Sequence, residues 1–231
     1  MVDKNSELWF CSSGTPFPGT DPYFYKPEEF SWTRDIEEQW EVILDELQNH
    51  LDSDNTKLIP YVNKEMTSKP GQWKTMGLMF WAKKDKSNCV LFPQSMKILE
   101  RIPNLTAISF NSLEPETSIK PHVGDTNAII RCHLGLIIPD SAPRCGFRVG
   151  DETHSWENGK FLMFSDAYLH TAWNNTKCKR YILVLDILKD EYVDQLGSIS
   201  RKVLTNIYTE AVYQRFDMLQ KYFSGDRKST R

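Results

Sequence analysis

The sequence predicts a mainly β protein with flanking helices, its strands closing into a sandwich, jelly roll or barrel. Three observations predict it. Between about residues 70 and 190 short β-rich runs alternate with turn residues. Clear helical periodicity is concentrated in the stretches before and after that region. No linker long enough to separate two domains interrupts the 231 residues, and no internal repeat is present. The expected organisation is one domain over 1–231. An arm and amphipathic helix fill 1–69, a β core 70–189, and a helical extension 190–231.

Residues 11–31, rich in Pro, Gly and aromatics, read as an irregular arm laid over the domain. From 32 to 51 the apolar positions Ile36, Trp40, Ile43, Leu44, Leu47 and Leu51 recur at helical spacing. The opposite face, with Asp35, Glu37, Glu38, Glu41, Asp45 and Glu46, reads as a solvated surface. Strands are expected at 72–81, 105–114, 127–138, 144–150, 160–165 and 180–188, with a short helix at 93–101. Residues 150–160 (GDETHSWENGK) carry turn signals at each end and read as a hairpin. Beyond Asp190, Leu196, Ile199, Val203, Ile207 and Ala211 form a helical stripe, continued by Leu219 and Phe223. That helix is expected to cover the β core, and an oligomer interface is the alternative. Residues 225–231 read as a frayed end.

Composition excludes several classes. Hydrophobic residues at 40% and charged ones at 26% suit a soluble protein with a sizeable core. A net charge of −3 provides no electrostatic footprint for nucleic acid. Five scattered cysteines without a CxxC pair argue against a disulfide framework and a zinc ribbon. Neither a signal peptide nor a transmembrane run is present in the sequence, so a cytoplasmic location is expected.

Chemistry concentrates in two places. In a strand over 127–138, Ile129, Arg131, His133, Gly135 and Ile137 share one face, opposite the apolar Ile130, Cys132, Leu134 and Leu136. An inward arginine and histidine are costly unless a partner neutralises them, and an anionic ligand is the simplest partner. Arg180 repeats the theme, alternating with Ile182 and Val184 ten residues after His170. Its planar fork suits a carboxylate. His122, His133 and His170 are therefore candidate site residues, whereas His50, near a helix end, and His154, in the hairpin, are assigned to structure.

The motifs PHVGDTN (121–127), RCHLGLIIP (131–139), CGFRVGDETHSWENGK (145–160), FSDAYLHTAWN (164–174) and RYILVLDIL (180–188) resemble, in order, the aspartyl/asparaginyl β-hydroxylase family. The likeness extends more weakly upstream through GQWKT (71–75) and YKPEEFSWTRDIEEQW (25–40), as in the soluble bacterial and lipid A hydroxylase branches. The resemblance implies a double-stranded β-helix, a jelly-roll barrel, holding Fe(II) and 2-oxoglutarate, with O2 as second co-substrate. It implies that His122 and His170 ligate iron and that Arg180 grips the distal carboxylate of 2-oxoglutarate. Arg131, His133 and Asn111 would also face the co-substrate, although the family often has serine where this chain has Asn111. Many related oxygenases place a carboxylate ligand two residues after the first histidine, where this chain has Gly124. Asp125 points to the other face of an extended strand and is expected in a solvent-facing or turn role. Asp166, four before His170, is expected to hold a metal-bound water.

The implied reaction hydroxylates an unactivated C–H bond while 2-oxoglutarate is converted to succinate and CO2. The favoured acceptor is the β-carbon of an aspartyl- or asparaginyl-type amino acid, free, carrier-bound or in a peptide. A fatty-acyl 2-hydroxylase, a halogenase exploiting the open ligand position, and a non-catalytic binding barrel are the alternatives.

Overall fold

The computed structural model describes residues 7–19, 21–53 and 58–207. Its elements, in chain order, begin with strand β1 (Phe24–Tyr25), helices α1 (Thr33–Glu37) and α2 (Trp40–Asp52), and strands β2 (Ile59–Pro60), β3 (Trp73–Phe80) and β4 (Lys83–Lys84). Helices α3 (Lys86–Cys89) and α4 (Pro93–Leu99) follow, then β5 (Leu105–Leu113), β6 (Thr117–His122), β7 (Ile129–Ile137) and β8 (Cys145–Val149). The last strands are β9 (Glu152–His154), β10 (Phe161–Phe164), β11 (His170–Asn174) and β12 (Arg180–Leu188). The chain divides into two compact units, Met1–Val193 and Asp194–Arg231.

All six expected strands form, within one or two residues of their predicted ends. In the first unit five of them (β3, β5, β7, β10 and β12) pair antiparallel, together with β1 and β2, into a major sheet of order β1-β10-β7-β12-β5-β3-β2, with β4 on β3, while the sixth, β8, lies in a second sheet. A minor sheet runs β6-β11-β8-β9. The period-2 alternation of β7 divides its side chains as the sequence suggests. Ile130, Cys132, Leu134 and Leu136 join Leu183, Leu185, Ile108, Phe110, Met76 and Leu78 on the outer face. That face packs against Ile43 and Leu47 of α2 and Met96 and Leu99 of α4. The inner face contributes Leu113, Phe164 and Ile182, which pack against Ile119, Phe147, Val149 and Ala172 of the minor sheet. Two facing antiparallel sheets, one backed by helices, make a jelly-roll barrel whose interior lies between them.

The amphipathic segment at 32–51 departs from expectation in two ways. It is broken into α1 and α2 near Glu38 and Gln39. Its acidic face is also more than solvated surface. Glu46 accepts from the backbone N–H of Gln94 and Ser95 at 2.9 and 2.7 Å, capping the N-terminus of α4. Glu37 accepts from Lys160 and from the N–H of Phe161, anchoring α1 to β10. His50 packs on Phe92, and His154 on Phe24, consistent with structural roles.

β6 and β11 were not expected as strands. β6 lies at a sheet edge, where Pro121 costs no ladder hydrogen bond, and a register shift opposite His170/Ala172 breaks its alternation.

In the second unit a helix occupies 196–207, with Ile199 and Val203 buried. The predicted stripe residues Ala211, Leu219 and Phe223, and the C-terminal residues 225–231, lie outside the described residues. Among the described residues no helix is long and apolar enough to cross a membrane.

Candidate active site

His122 ends β6 and His170 begins β11, and the two are directly paired across the minor sheet. Their ring centroids lie 4.2 Å apart. Each Nδ1 contacts a backbone carbonyl two residues back, His122 on Lys120 and His170 on Tyr168, both at 2.8 Å. A carbonyl can only accept, so each ring carries its proton on Nδ1 and keeps a lone pair on Nε2. Burial holds both rings below the usual imidazole pKa, and His170 well below, where proximity to His122 adds to the effect. Two neutral imidazoles with free Nε2 lone pairs at one spot fit a divalent transition metal. Among the described residues no third His, Cys, Asp or Glu completes a ligand set. The remaining coordination positions would fall to a chelating ligand and water.

The loops that follow His122 and precede His170 are both held by the N-terminal arm. Trp9 donates its N–H to Asn127 Oδ1 at 2.7 Å, and its carbonyl accepts from Thr126 Oγ1 at 2.7 Å. Asp21 accepts from Lys189 Nζ at 2.7 Å and from Ser165 Oγ at 3.2 Å, while its carbonyl accepts from Tyr168 OH. The arm predicted from composition thus braces the loops beside the two histidines.

Gly124 follows His122 by two residues, and the space beside it is filled. A Cβ there would fall 1.6 Å from Asp166 Oδ2 and 2.9 Å from the Asp166 carbonyl. That carbonyl accepts the Gly124 N–H at 2.7 Å. The glycine therefore permits an aspartate from the opposite loop to stand in the volume a ligand side chain would take. Asp166 Oδ1 lies 3.5 Å from His170 Nε2, and its buried Oδ2 has no protein partner. Asp125, as expected, is an exposed bend residue.

Arg131 is more heavily engaged than a clamp awaiting a ligand. Its Nε and Nη2 donate to the two oxygens of Asp186 at 2.8 and 2.9 Å, and its Nη1 to Asp166 Oδ1 at 2.6 Å. Burial opposes the charge, but these two carboxylates prevail and raise its pKa. Five N–H groups less three leaves one on each terminal nitrogen.

Arg180 is the opposite case. It is 1% exposed, and its Nε and Nη1 have no hydrogen-bond partner. Burial alone pulls its guanidinium down to about 10. Its Cζ lies 4.7 Å over the Trp156 ring. The indole N–H of Trp156 also donates to His133 Nδ1 at 3.2 Å. His133 is held neutral, well below the usual value, by burial and then by Arg180 and Arg131, so its single proton sits on Nε2. Asn111 lies on the inner face of β5, but its amide is occupied by the Trp73 indole at 2.9 Å and by Ser109. Lys74, in GQWKT, pairs with Glu114 at 2.8 Å.

Asp186, which pairs with Arg131, and Trp156, which lies under Arg180, were not among the expected site residues. Asp186 carried a visible signal, a charge in phase with Arg180, Ile182 and Val184. Trp156 carried no periodic signal, lying in a hairpin segment, and was marked only by falling within the motif at 145–160.

Fold and site together define a jelly-roll barrel with two paired, neutral histidines beside a buried cation. The chain belongs to the aspartyl/asparaginyl β-hydroxylase family, whose profile matches residues 37–190. It is 32% identical over 173 residues to an ornithine lipid ester-linked acyl 2-hydroxylase of Rhizobium tropici, covering 73% of this chain and 61% of that one. It is 29% identical over 180 residues to the aspartyl/asparaginyl β-hydroxylase of Homo sapiens, covering 74% of this chain and 23% of that one. With aspartate β-hydroxylase domain-containing protein 2 of Xenopus tropicalis it shares 28% identity, over 82% of this chain and 52% of that one. The chain thus spans less than two thirds of each relative.

Proposed function

We propose that this chain is an Fe(II)- and 2-oxoglutarate-dependent dioxygenase that hydroxylates an unactivated C–H bond. The observation that carries the reading is Arg180, a buried guanidinium with unpartnered N–H groups in the barrel that holds the two histidines. A buried cation without a partner is costly, and a carboxylate presenting two oxygens to the planar fork relieves that cost. His133, with its proton on Nε2, supplies a second neutral donor toward the same ligand. Arg131 retains two N–H groups for it.

Charge supports the pairing of metal with dicarboxylate. The formal charges of Arg131, Arg180, Asp166 and Asp186 sum to zero, although both carboxylates pair with Arg131, and the histidines are neutral. A divalent cation and a dianion therefore enter together without adding net charge to the interior. His122 and His170 would hold Fe(II), which when bound activates O2 and, with 2-oxoglutarate, supplies the oxidising power for hydroxylation. Asp166, at the side of the pair that Gly124 leaves open, would accept a hydrogen bond from a bound water. A carboxylate at that position also repels chloride, which favours hydroxylation over halogenation.

For the acceptor we infer an aspartyl- or asparaginyl-type amino acid, free, carrier-bound or in a peptide, hydroxylated at the β-carbon, in line with the human relative's name. The Rhizobium relative's name makes a fatty-acyl chain the second reading. A succinate-release screen of purified protein with Fe(II), 2-oxoglutarate and O2 across amino acids, peptides and acyl lipids tests both. Substrate-dependent succinate lost in His122→Ala is the expected result. No succinate with any class, and no effect of His122→Ala, would contradict the reading.

A further inference from the structure

We propose that Asp186 is a positioning residue. It holds Arg131 in the orientation that keeps the Asp166 carboxylate at the metal position Gly124 leaves open. The inference rests on the two-histidine metal centre proposed above and adds to it a residue that touches neither metal nor co-substrate.

The geometry is a chain of three charged groups. Asp186 and Arg131 are direct cross-strand partners on β12 and β7, both on the inner face. Asp186 takes the Nε–Nη2 edge of the guanidinium with both oxygens, at 2.8 and 2.9 Å. Only the Nη1 corner is left to reach Asp166, which it does at 2.6 Å through a single oxygen. A guanidinium free to rotate would grip Asp166 with two parallel hydrogen bonds, its preferred arrangement with a carboxylate. Both Asp166 oxygens would then be engaged. With Asp186 on the better edge, Asp166 is held by Oδ1 alone, and its buried Oδ2 stays unpartnered beside Gly124. Asp186 thus fixes the direction of Arg131 and supplies the negative charge that Arg131 would otherwise draw from Asp166 entirely.

An ion pair serving only the fold would predict something different. Asp186 would then influence melting temperature and leave the metal untouched. Asparagine at this position is close in shape, but offers one acceptor where the carboxylate offers two, and turns an N–H toward an N–H.

Cobalt(II) titration of metal-free protein, followed by visible absorption and calorimetry, tests the proposal without turnover. Asp186→Asn is expected to weaken cobalt(II) binding about tenfold, the range for residues that orient metal-site groups. Asp166→Asn is expected to show a similar loss and the same spectral change, and the double variant no further loss. Asp186→Glu, which keeps both acceptors, should recover most of the affinity. If Asp186→Asn does not fold, Arg131→Lys tests the same link, since a point charge cannot hold both carboxylates in fixed directions. Cobalt(II) binding by either variant equal to wild type, or losses from Asp186→Asn and Asp166→Asn that add, would overturn the proposal. Failure of the wild type itself to bind cobalt(II) would instead count against the metal centre.

Discussion

Replacing Arg180 by methionine should make the metal-free protein more stable while removing its dicarboxylate binding. Arg180 is 1% exposed with two nitrogens unpartnered, and burial brings its guanidinium down to about 10. A displacement of that size corresponds to about 3 kcal/mol against the charged form at neutral pH. The Trp156 ring, 4.7 Å away, returns about 1–2 kcal/mol of cation–π attraction that methionine forgoes. Methionine fills most of the same volume, so the balance is a gain of about 1–2 kcal/mol. In a chain of this size that is a rise in Tm of roughly 2–8 °C. Loss of a buried bidentate arginine–carboxylate pair costs about 3–5 kcal/mol, so 2-oxoglutarate should bind on the order of 10²- to 10⁴-fold more weakly. Thermal melts with and without 2-oxoglutarate and Mn(II), alongside calorimetric titration, read both effects. A variant that melts lower than wild type and binds 2-oxoglutarate within threefold of it would show that Arg180 neither strains the empty barrel nor holds the dicarboxylate.

Gly124→Ala should displace Asp166, because the new Cβ collides with its carboxylate at 1.6 Å and crowds its carbonyl at 2.9 Å. The expected cost is about 1–3 kcal/mol in denaturant unfolding, with weaker cobalt(II) binding. Gly124→Asp should fail to create a three-ligand centre for the same reason, and adding Asp166→Ala should recover part of the lost stability. Trp156→Phe removes the donor that fixes the His133 tautomer, and 2-oxoglutarate affinity measured by calorimetry should fall roughly tenfold, about 1.4 kcal/mol. His133 and His170 have folded pKa values well below the ordinary 6.5, so metal-free stability should be full above that pH and fall as pH drops beneath it. Melts from pH 8 to 5 should show the fall reduced in His133→Gln, and identical profiles for the two proteins would contradict it.

The strands were legible because strict alternation leaves a residue's face unambiguous. On β7 the split between Cys132 and Leu134 outside and Arg131 and His133 inside needed only the two-residue period. β6 and β11 were not legible, because an edge proline and a bulge erase that alternation in the segments that present His122 and His170. Those histidines were found through motifs rather than periodicity. Arg131 shows a different limit. Sequence placed it inside the barrel, but its partners, Asp166 from a loop and Asp186 from another strand, come from 35 and 55 residues away. Likewise a glycine at position 124 reads as a gap along the chain. Only the fold reveals that an aspartate 42 positions later occupies the adjoining volume.

The proposed function has His122 and His170 hold a metal while Arg180 receives the dicarboxylate that chelates it. Anaerobic titration of 2-oxoglutarate into Fe(II)-loaded protein, followed by its metal-to-ligand charge-transfer absorption, tests this most directly. A saturable band is expected in wild type, none in His122→Ala or His170→Ala, and a band in Arg180→Met only at far higher 2-oxoglutarate. A wild type without the band, or a band unchanged in all three variants, would contradict it.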